Sequence, residues 1–104
     1  CGDLNDAPMG PGLAPIMNHG RLEDVIAKFP YWIDPSGTRL GTYTHGKEQL
    51  DYVLMSPAVG SVAVVAGVER RGFYAPETWR PFDSVTKSRK NASDHHCVWV
   101  DLKV

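Results

Sequence analysis

The chain has 104 residues, of which 42% are hydrophobic and 22% charged, and its formal net charge is −1 at pH 7. This length allows one domain with a modest core, and the composition is typical of a folded globular protein rather than a disordered one. The near-zero charge excludes a general attraction to polyanions. No apolar run approaches the roughly 20 residues that cross a bilayer. Two cysteines do not make a disulfide framework.

Residues 7–18 are predicted to form a loop, because three prolines within them interrupt a regular helix. A helix is predicted next, since apolar residues recur at the spacing i, i+3, i+4 and i+7. This apolar stripe consists of Leu22, Val25, Ile26 and Phe29. Asn18 is the expected N-cap and Pro30 the expected end, so the helix would cover a sheet with its apolar side.

Three strands are predicted in the middle of the chain, after a turn at residues 34–37. Residues 41–45 and 49–56 would form a hairpin centred on Gly46. Residues 61–68 are mostly Val and Ala, which is typical of a strand buried on both faces.

Residues 70–91 have no hydrophobic period and are predicted to form a long basic loop with interleaved aromatic residues. Its cations are Arg70, Arg71, Arg80, Lys87, Arg89 and Lys90. The last strand alternates, with its apolar face formed by Val98, Val100, Leu102 and Val104. These patterns together predict an α+β fold with about five strands, mostly antiparallel, and one helix.

Polar side chains lie where the predicted strands meet loops, a position at which catalytic groups often sit. Asp3 and Asn5 alternate along one extended segment, so their side chains are expected on the same side. Asp51 lies at the mouth of another strand, and Asp94 and His95 precede the last strand. Carboxylates, an amide and a histidine that converge at strand ends indicate metal-assisted phosphoryl or acyl chemistry.

Three motifs occur in a fixed order along the whole chain. They are Gly-Asp-x-Asn-Asp at 2–6, Asp-Tyr-Val-Leu-x-Ser-Pro at 51–57 and Ser-Asp-His at 93–95. The set resembles the C-terminal part of the endonuclease/exonuclease/phosphatase superfamily, the metal-dependent phosphodiesterases related to pancreatic-type deoxyribonuclease and abasic-site endonucleases. The resemblance implies that residues 1–104 are the C-terminal half of a two-sheet α/β sandwich, whose metal-binding Asn and Glu motifs belong to the N-terminal half.

The resemblance also implies a role for each motif residue. Asp3 would position or deprotonate the attacking water, and together with Asp94 it would hold Mg²⁺ or Mn²⁺, which prefer oxygen ligands. Asn5 would contact the substrate and steady the transition state. His95 would bind or protonate the phosphate, with Asp51 as its orienting carboxylate.

The implied activity is hydrolysis of a phosphate ester by in-line attack of water, on a substrate that is a nucleic acid, a lipid or a small molecule. Tyr43 lies in a segment where the family places substrate-contacting loops. Half of a sandwich would expose a sheet face, so a complementing N-terminal half or a swapped dimer is the expected partner. The alternative function is that of a noncatalytic structural fragment or binding module of the same fold, and this chain alone is expected to be inactive.

Two other metal sites are disfavoured by the expected strand. Asp94-His95-His96 spells the signature of a second metal phosphoesterase family, but that family places the motif before a helix, whereas a strand is expected here. Zinc binding by His95, His96 and Cys97, together with His19 or His45, is disfavoured because consecutive residues of a strand point to opposite sides.

Overall fold

A computed structural model describes residues 1–37, 39, 41–44, 47–74 and 82–104 of the chain. Six short strands, three one-turn helices and one 3-10 turn lie in this part. In chain order they are β1 (Gly2–Asp3), α1 (Ala14–Met17), β2 (Glu23–Asp24), α2 (Val25–Lys28), β3 (Asp51–Tyr52), β4 (Leu54–Met55), α3 (Pro57–Gly60), β5 (Ala63–Glu69), the 3-10 turn (Ser88–Lys90) and β6 (Cys97–Leu102).

The strands pair antiparallel in three two-stranded sheets, β1 with β3, β2 with β4 and β5 with β6. The expected α+β class with antiparallel pairing is therefore confirmed, while this pairing does not by itself define two stacked sheets. None of the helices in the described part of the chain is long and apolar enough to cross a membrane.

The core lies between α2, β4 and the β5–β6 sheet. Val25, Met55 and Ala66 form its buried centre. Partly buried apolar side chains pack around this centre, namely Ile26, Phe29, Val53, Ala63, Val98 and Val100. Three of the four residues of the predicted helical stripe thus do reach the core, as their spacing indicated.

The predicted helix is shorter than its apolar spacing suggested. Residues 23–24 are extended and pair with β4, so the helix begins only at Val25. Asp24 is the N-cap, and its carboxylate accepts a hydrogen bond of 3.2 Å from the amide of Ile26. Asn18 instead ends α1, a turn in which Pro15 is tolerated near the N-terminus. The prediction of a helix-free loop over residues 7–18 was wrong at this one turn.

The strand predicted over residues 49–56 is interrupted at Val53. Residues on its two sides pair with different partners, β3 with β1 and β4 with β2. The carbonyl of Val53 accepts a hydrogen bond from the amide of Val25. Ser56 then caps α3, which ends the extended segment, while the predicted hairpin centre, residues 45–46, lies outside the described residues.

The β5–β6 sheet is the longest pairing in the described part, and it departs from two predictions. Val64 in β5 is 54% exposed, so the strand is not buried on both faces. The apolar alternation of β6 ends with exposed Leu102 and Val104, beyond the reach of the core. A backbone bridge from Ile33 to Gly67 extends this sheet on its other edge.

Arg70, the first residue of the predicted basic loop, does lie outside β5, but its side chain is buried. It holds Asp34, with its Nε 2.8 Å from Oδ1 and its Nη2 3.2 Å from Oδ2. Residues 75–81 of the same predicted loop lie outside the described residues.

Candidate metal centre

Strand pairing brings two of the motifs together. In the β1–β3 ladder, Asp3 lies directly opposite Asp51, and the amide of Leu4 donates to the carbonyl of Leu50 over 2.8 Å. Residues facing each other in an antiparallel pair carry their side chains to the same face. The first and second motifs therefore present their carboxylates side by side.

The third motif reaches this pair through His95. Its Nδ1 lies 2.9 Å from Oδ2 of Asp51, and its Nε2 lies 3.9 Å from Oδ2 of Asp3. The hydrogen bond with Asp51 comes first among the causes that raise the pKa of His95, followed, against the opposing effect of burial, by the charges of Asp51, Asp3 and Asp94. The side chain of His95 is 27% exposed, so a ligand can reach the ring from solvent.

One donor atom from each of Asp3, Asp51 and His95 lies within 4.8 Å of the other two. The two carboxylates suit a hard divalent cation such as Mn²⁺ or Mg²⁺, and the partial exposure leaves room for water and substrate oxygens. The carboxylates of this group therefore fit the metal that the motifs implied, while His95 is held by Asp51. Asp51 is already hydrogen-bonded to His95, so Asp3 is the carboxylate best placed to be a primary ligand.

Asp94 lies outside this three-residue group. Its carbonyl accepts a hydrogen bond of 2.9 Å from the amide of Thr44, and its negative charge still acts on His95. Of the two expected metal ligands, Asp3 therefore lies in the three-residue group and Asp94 does not. The second carboxylate of the group is that of Asp51.

Asn5 supports Asp3 through its backbone. Its φ of 54° is in the left-handed region, which asparagine adopts more readily than most residues, and its amide donates to Oδ1 of Asp3 over 2.8 Å. The strand ends at Asp3, so the alternation that predicted a shared side for Asp3 and Asn5 does not extend to residue 5. The Asp-x-Asn spacing here forms a turn that fixes the Asp3 carboxylate.

Tyr43 lies against the histidine. Its ring centroid is 5.1 Å from that of His95, and a backbone bridge joins the two residues. An aromatic ring at this position can contact a substrate that approaches His95.

Thr42 lies in the same segment as Tyr43, but the sequence did not predict its structural role, which is to join the segments of the site by buried hydrogen bonds. This buried residue accepts hydrogen bonds at Oγ1 from the amides of Leu50 and Asp51, over 2.9 and 3.0 Å. Its carbonyl accepts from the amide of His96 over 2.7 Å. No local pattern marks this threonine, because its partners come from two distant segments.

Asp6, the last residue of the first motif, organises the following loop. Its carboxylate accepts hydrogen bonds from the amides of Ala7, Gly12 and Leu13, and its carbonyl accepts from the hydroxyl of Tyr52 over 2.8 Å. A Cβ atom at residue 10 would overlap this carboxylate, so a larger residue there would displace it from these hydrogen bonds. The proline- and glycine-rich segment after Asp6 is thus a folded support for β1 and β3.

His96 lies on the opposite side of the segment from the site. It is 3% exposed, and its ring centroid is 4.1 Å from that of Phe73. Burial, followed by the positive charge of Arg70, lowers the pKa of His96 to about 4. Adjacent histidines therefore do not share one ion, in keeping with the alternation expected of extended backbone.

No protein-family model, curated protein or solved structure matches this chain. A functional interpretation therefore depends on the motifs and on the geometry of the residues they contribute.

Proposed function

We propose that the protein is a divalent-metal-dependent phosphoesterase of the endonuclease/exonuclease/phosphatase type. One observation carries the proposal: three motifs separated by tens of residues bring Asp3, Asp51 and His95 within 4.8 Å of one another. Such a convergence of two carboxylates and a histidine at strand ends suits hydrolysis of a phosphate ester by water.

Each residue has a role in this proposal. Asp51 holds His95 through Nδ1, which leaves Nε2 to donate a hydrogen bond or a proton to a phosphoryl oxygen. The raised pKa of His95 increases the fraction of the ring that carries that proton near neutral pH. Asp3, fixed by the Asn5 amide, accepts a proton from the attacking water.

Mg²⁺ or Mn²⁺ would polarise the phosphoryl group and neutralise charge that develops on it. Asp3 and Asp94 are the proposed ligands by resemblance, with Asp51 close enough to contribute. The side chains of Asn5 and Tyr43 would contact the substrate, which is a nucleic acid, a lipid or a small phosphate ester.

The finer fold assignment belongs to the same proposal. As the C-terminal half of a two-sheet sandwich, the chain would have its β5–β6 region covered by an N-terminal half or by a swapped copy. Exposed apolar side chains in and beside that sheet support this, namely Val62, Val64, Leu102 and Val104.

Hydrolysis of bis-p-nitrophenyl phosphate tests the activity. We expect Mn²⁺- or Mg²⁺-dependent release of p-nitrophenol from this chain combined with a complementing N-terminal half, and little or none from this chain alone. A chelator should abolish the reaction. Absence of metal-dependent hydrolysis from both forms, together with absence of Mn²⁺ binding, would contradict the proposal.

A noncatalytic binding module is the second candidate, favoured by the position of Asp94 outside the three-residue group. With fewer protein ligands, the site would hold a cation too weakly for catalysis. Calorimetric titration of this chain with Mn²⁺ separates the two functions: micromolar binding that is lost in Asp3→Asn supports the phosphoesterase, and undetectable binding supports the module.

A further inference from the structure

A groove of about 430 Å³ lies next to the candidate metal centre. It is lined by Ser88, Arg89, Asn91, Ser93 and Asp94, so it runs from the 3-10 turn to the residue that precedes His95. The amide of His95 itself donates to Oγ of Ser93 over 3.0 Å, which ties one wall of the groove to the site.

The hydrogen bonds inside the protein leave this groove rich in donors. Oδ1 of Asn91 accepts from the amide of Tyr74 over 2.9 Å, so the amide nitrogen of Asn91 is the end that remains for a ligand. Oγ of Ser93 is likewise used as an acceptor, which leaves its hydroxyl proton to donate. Arg89 adds a guanidinium, which has donors and no acceptor.

Charge favours an anion at the same place. Lys87 and Lys90 flank Arg89 and are exposed, as Arg89 is. Among the described residues that line the groove, Asp94 is the acidic one, and it lies at the end of the lining segment that leads into His95. A group with several acceptor oxygens and negative charge, such as a phosphate, matches three donor side chains and neighbouring cations.

We propose that the groove binds a second phosphate group of the substrate, beside the one that is hydrolysed. That the bound phosphate belongs to a substrate rests on the proposed phosphoesterase function. The anion site itself depends only on the groove. The ligand class is a phosphate ester that carries a further phosphate. Such an ester is either a polynucleotide strand or a small multiply phosphorylated molecule.

The test is a binding measurement without metal, in which catalysis plays no part. We would titrate the ¹⁵N-labelled chain in a chelator with tetrathymidylate and, separately, with inositol hexakisphosphate, and use thymidine as the phosphate-free control. Chemical shifts of Arg89, Asn91 and Ser93 should move with at least one phosphate ligand and not with thymidine. The ligand that binds more tightly identifies the source of the second phosphate.

Matched variants show whether the groove or general charge is responsible. Asn91→Asp keeps the oxygen that accepts from Tyr74 but replaces two N–H donors by a negative charge. Arg89→Ala and Asn91→Asp should each weaken binding by about tenfold or more. Arg71→Ala removes one exposed cation elsewhere, paired with Glu69 over 2.8 Å, and should leave the affinity nearly unchanged.

Two results would overturn the inference: absence of shifts in the groove with both phosphate ligands, or equal loss of affinity in Arg89→Ala and Arg71→Ala. Failure of the phosphoesterase proposal gives a different result, because the chain would then bind phosphate in the groove without any metal-dependent hydrolysis. In an active form, Arg89→Ala should raise KM for the multiply phosphorylated substrate and leave kcat/KM for bis-p-nitrophenyl phosphate unchanged.

Discussion

His95 and His96 are neighbours in the chain, yet they lie in regions with opposite properties. His95 belongs to a partly exposed group with two carboxylates, where negative charge raises its pKa. His96 lies in the interior against Phe73 and near the buried pair of Asp34 and Arg70, where burial lowers its pKa. Extended backbone between the two residues sends one ring to each region.

The two carboxylate pairs of these regions differ in the same way. The side chains of Asp34 and Arg70 are 1% and 0% exposed. Burial raises the pKa of Asp34, but hydrogen bonds from Arg70 and Ser36 outweigh this effect, so the pKa is lowered. Asp51 and His95 are 16% and 27% exposed. Removing one partner of a buried ion pair is strongly destabilising, because the other charge stays buried without compensation. A partly exposed pair can instead exchange protons and ligands with solvent. We therefore expect mutations at Asp34 or Arg70 to lower stability and mutations at Asp51 or His95 to lower activity.

The largest expected effect is on activity. In a form that hydrolyses bis-p-nitrophenyl phosphate, Asp3→Asn and His95→Gln should each lower kcat by about 10²–10⁴-fold, because each removes a proton-transfer group. Asp3→Asn keeps the oxygen that accepts from the Asn5 amide, so the turn should persist. Steady-state kinetics with a urea unfolding curve would measure both properties.

Asp101→Asn is a matched control, because Asp101 is an exposed carboxylate on β6 outside the three-residue group. It should leave kcat unchanged. Rates near those of the wild type in both Asp3→Asn and His95→Gln would contradict the assignment of the site.

The next effect is on stability. Arg70→Met leaves the Asp34 carboxylate buried without its cation, and should lower the free energy of unfolding by about 3–5 kcal/mol. The control is Arg71→Met, which removes the same type of side chain from an exposed pair with Glu69. Its urea midpoint should stay close to that of the wild type. Equal midpoints for both variants would show that the buried pair does not stabilise the fold.

The smallest expected effect concerns pH. The pKa of His96 falls from 6.5 to about 4 on folding, so the unfolded chain binds more protons between these values. The contribution of His96 to the free energy of unfolding is therefore constant above pH 6.5 and decreases as the pH falls towards 4. The total decrease is on the order of 3 kcal/mol.

The variant His96→Leu removes this titration and should flatten the pH dependence of the urea midpoint between pH 6.5 and 4. His19→Gln replaces an exposed histidine and should keep the slope of the wild type. An unchanged slope in His96→Leu would show that the buried ring does not resist protonation.

Sequence patterns predicted what depends on local spacing. The helical stripe placed Val25, Ile26 and Phe29 at the core, and the alternation of β6 placed Val98 and Val100 there. Those residues are apolar at a period that one element can satisfy by itself. The contact of Asp51 with His95 was implied by the resemblance and not by local spacing, and Nδ1 of His95 lies 2.9 Å from Oδ2 of Asp51.

What depends on distant partners was not predictable in this way. The interruption at Val53 arises because β1 and β2 take different halves of one extended segment. In sequence, Arg70 resembles the cations that follow it. It is buried because the fold brings it next to Asp34, which is 36 residues away in the chain. Asp94 was expected at the metal from its motif alone, but its backbone bond to Thr44 fixes only its carbonyl.

The candidate metal centre joins residues 3, 51 and 95, which nearly spans the sequence. Closing such long loops costs conformational entropy, so the donors come together only when β1, β3 and the segment before β6 are all in place. A cation bound there would recognise the completed fold and not its parts. At a free concentration of 100 times its dissociation constant, the cation would add about 2.7 kcal/mol to the free energy of unfolding. Thermal melting at several cation concentrations would therefore measure the affinity of the site.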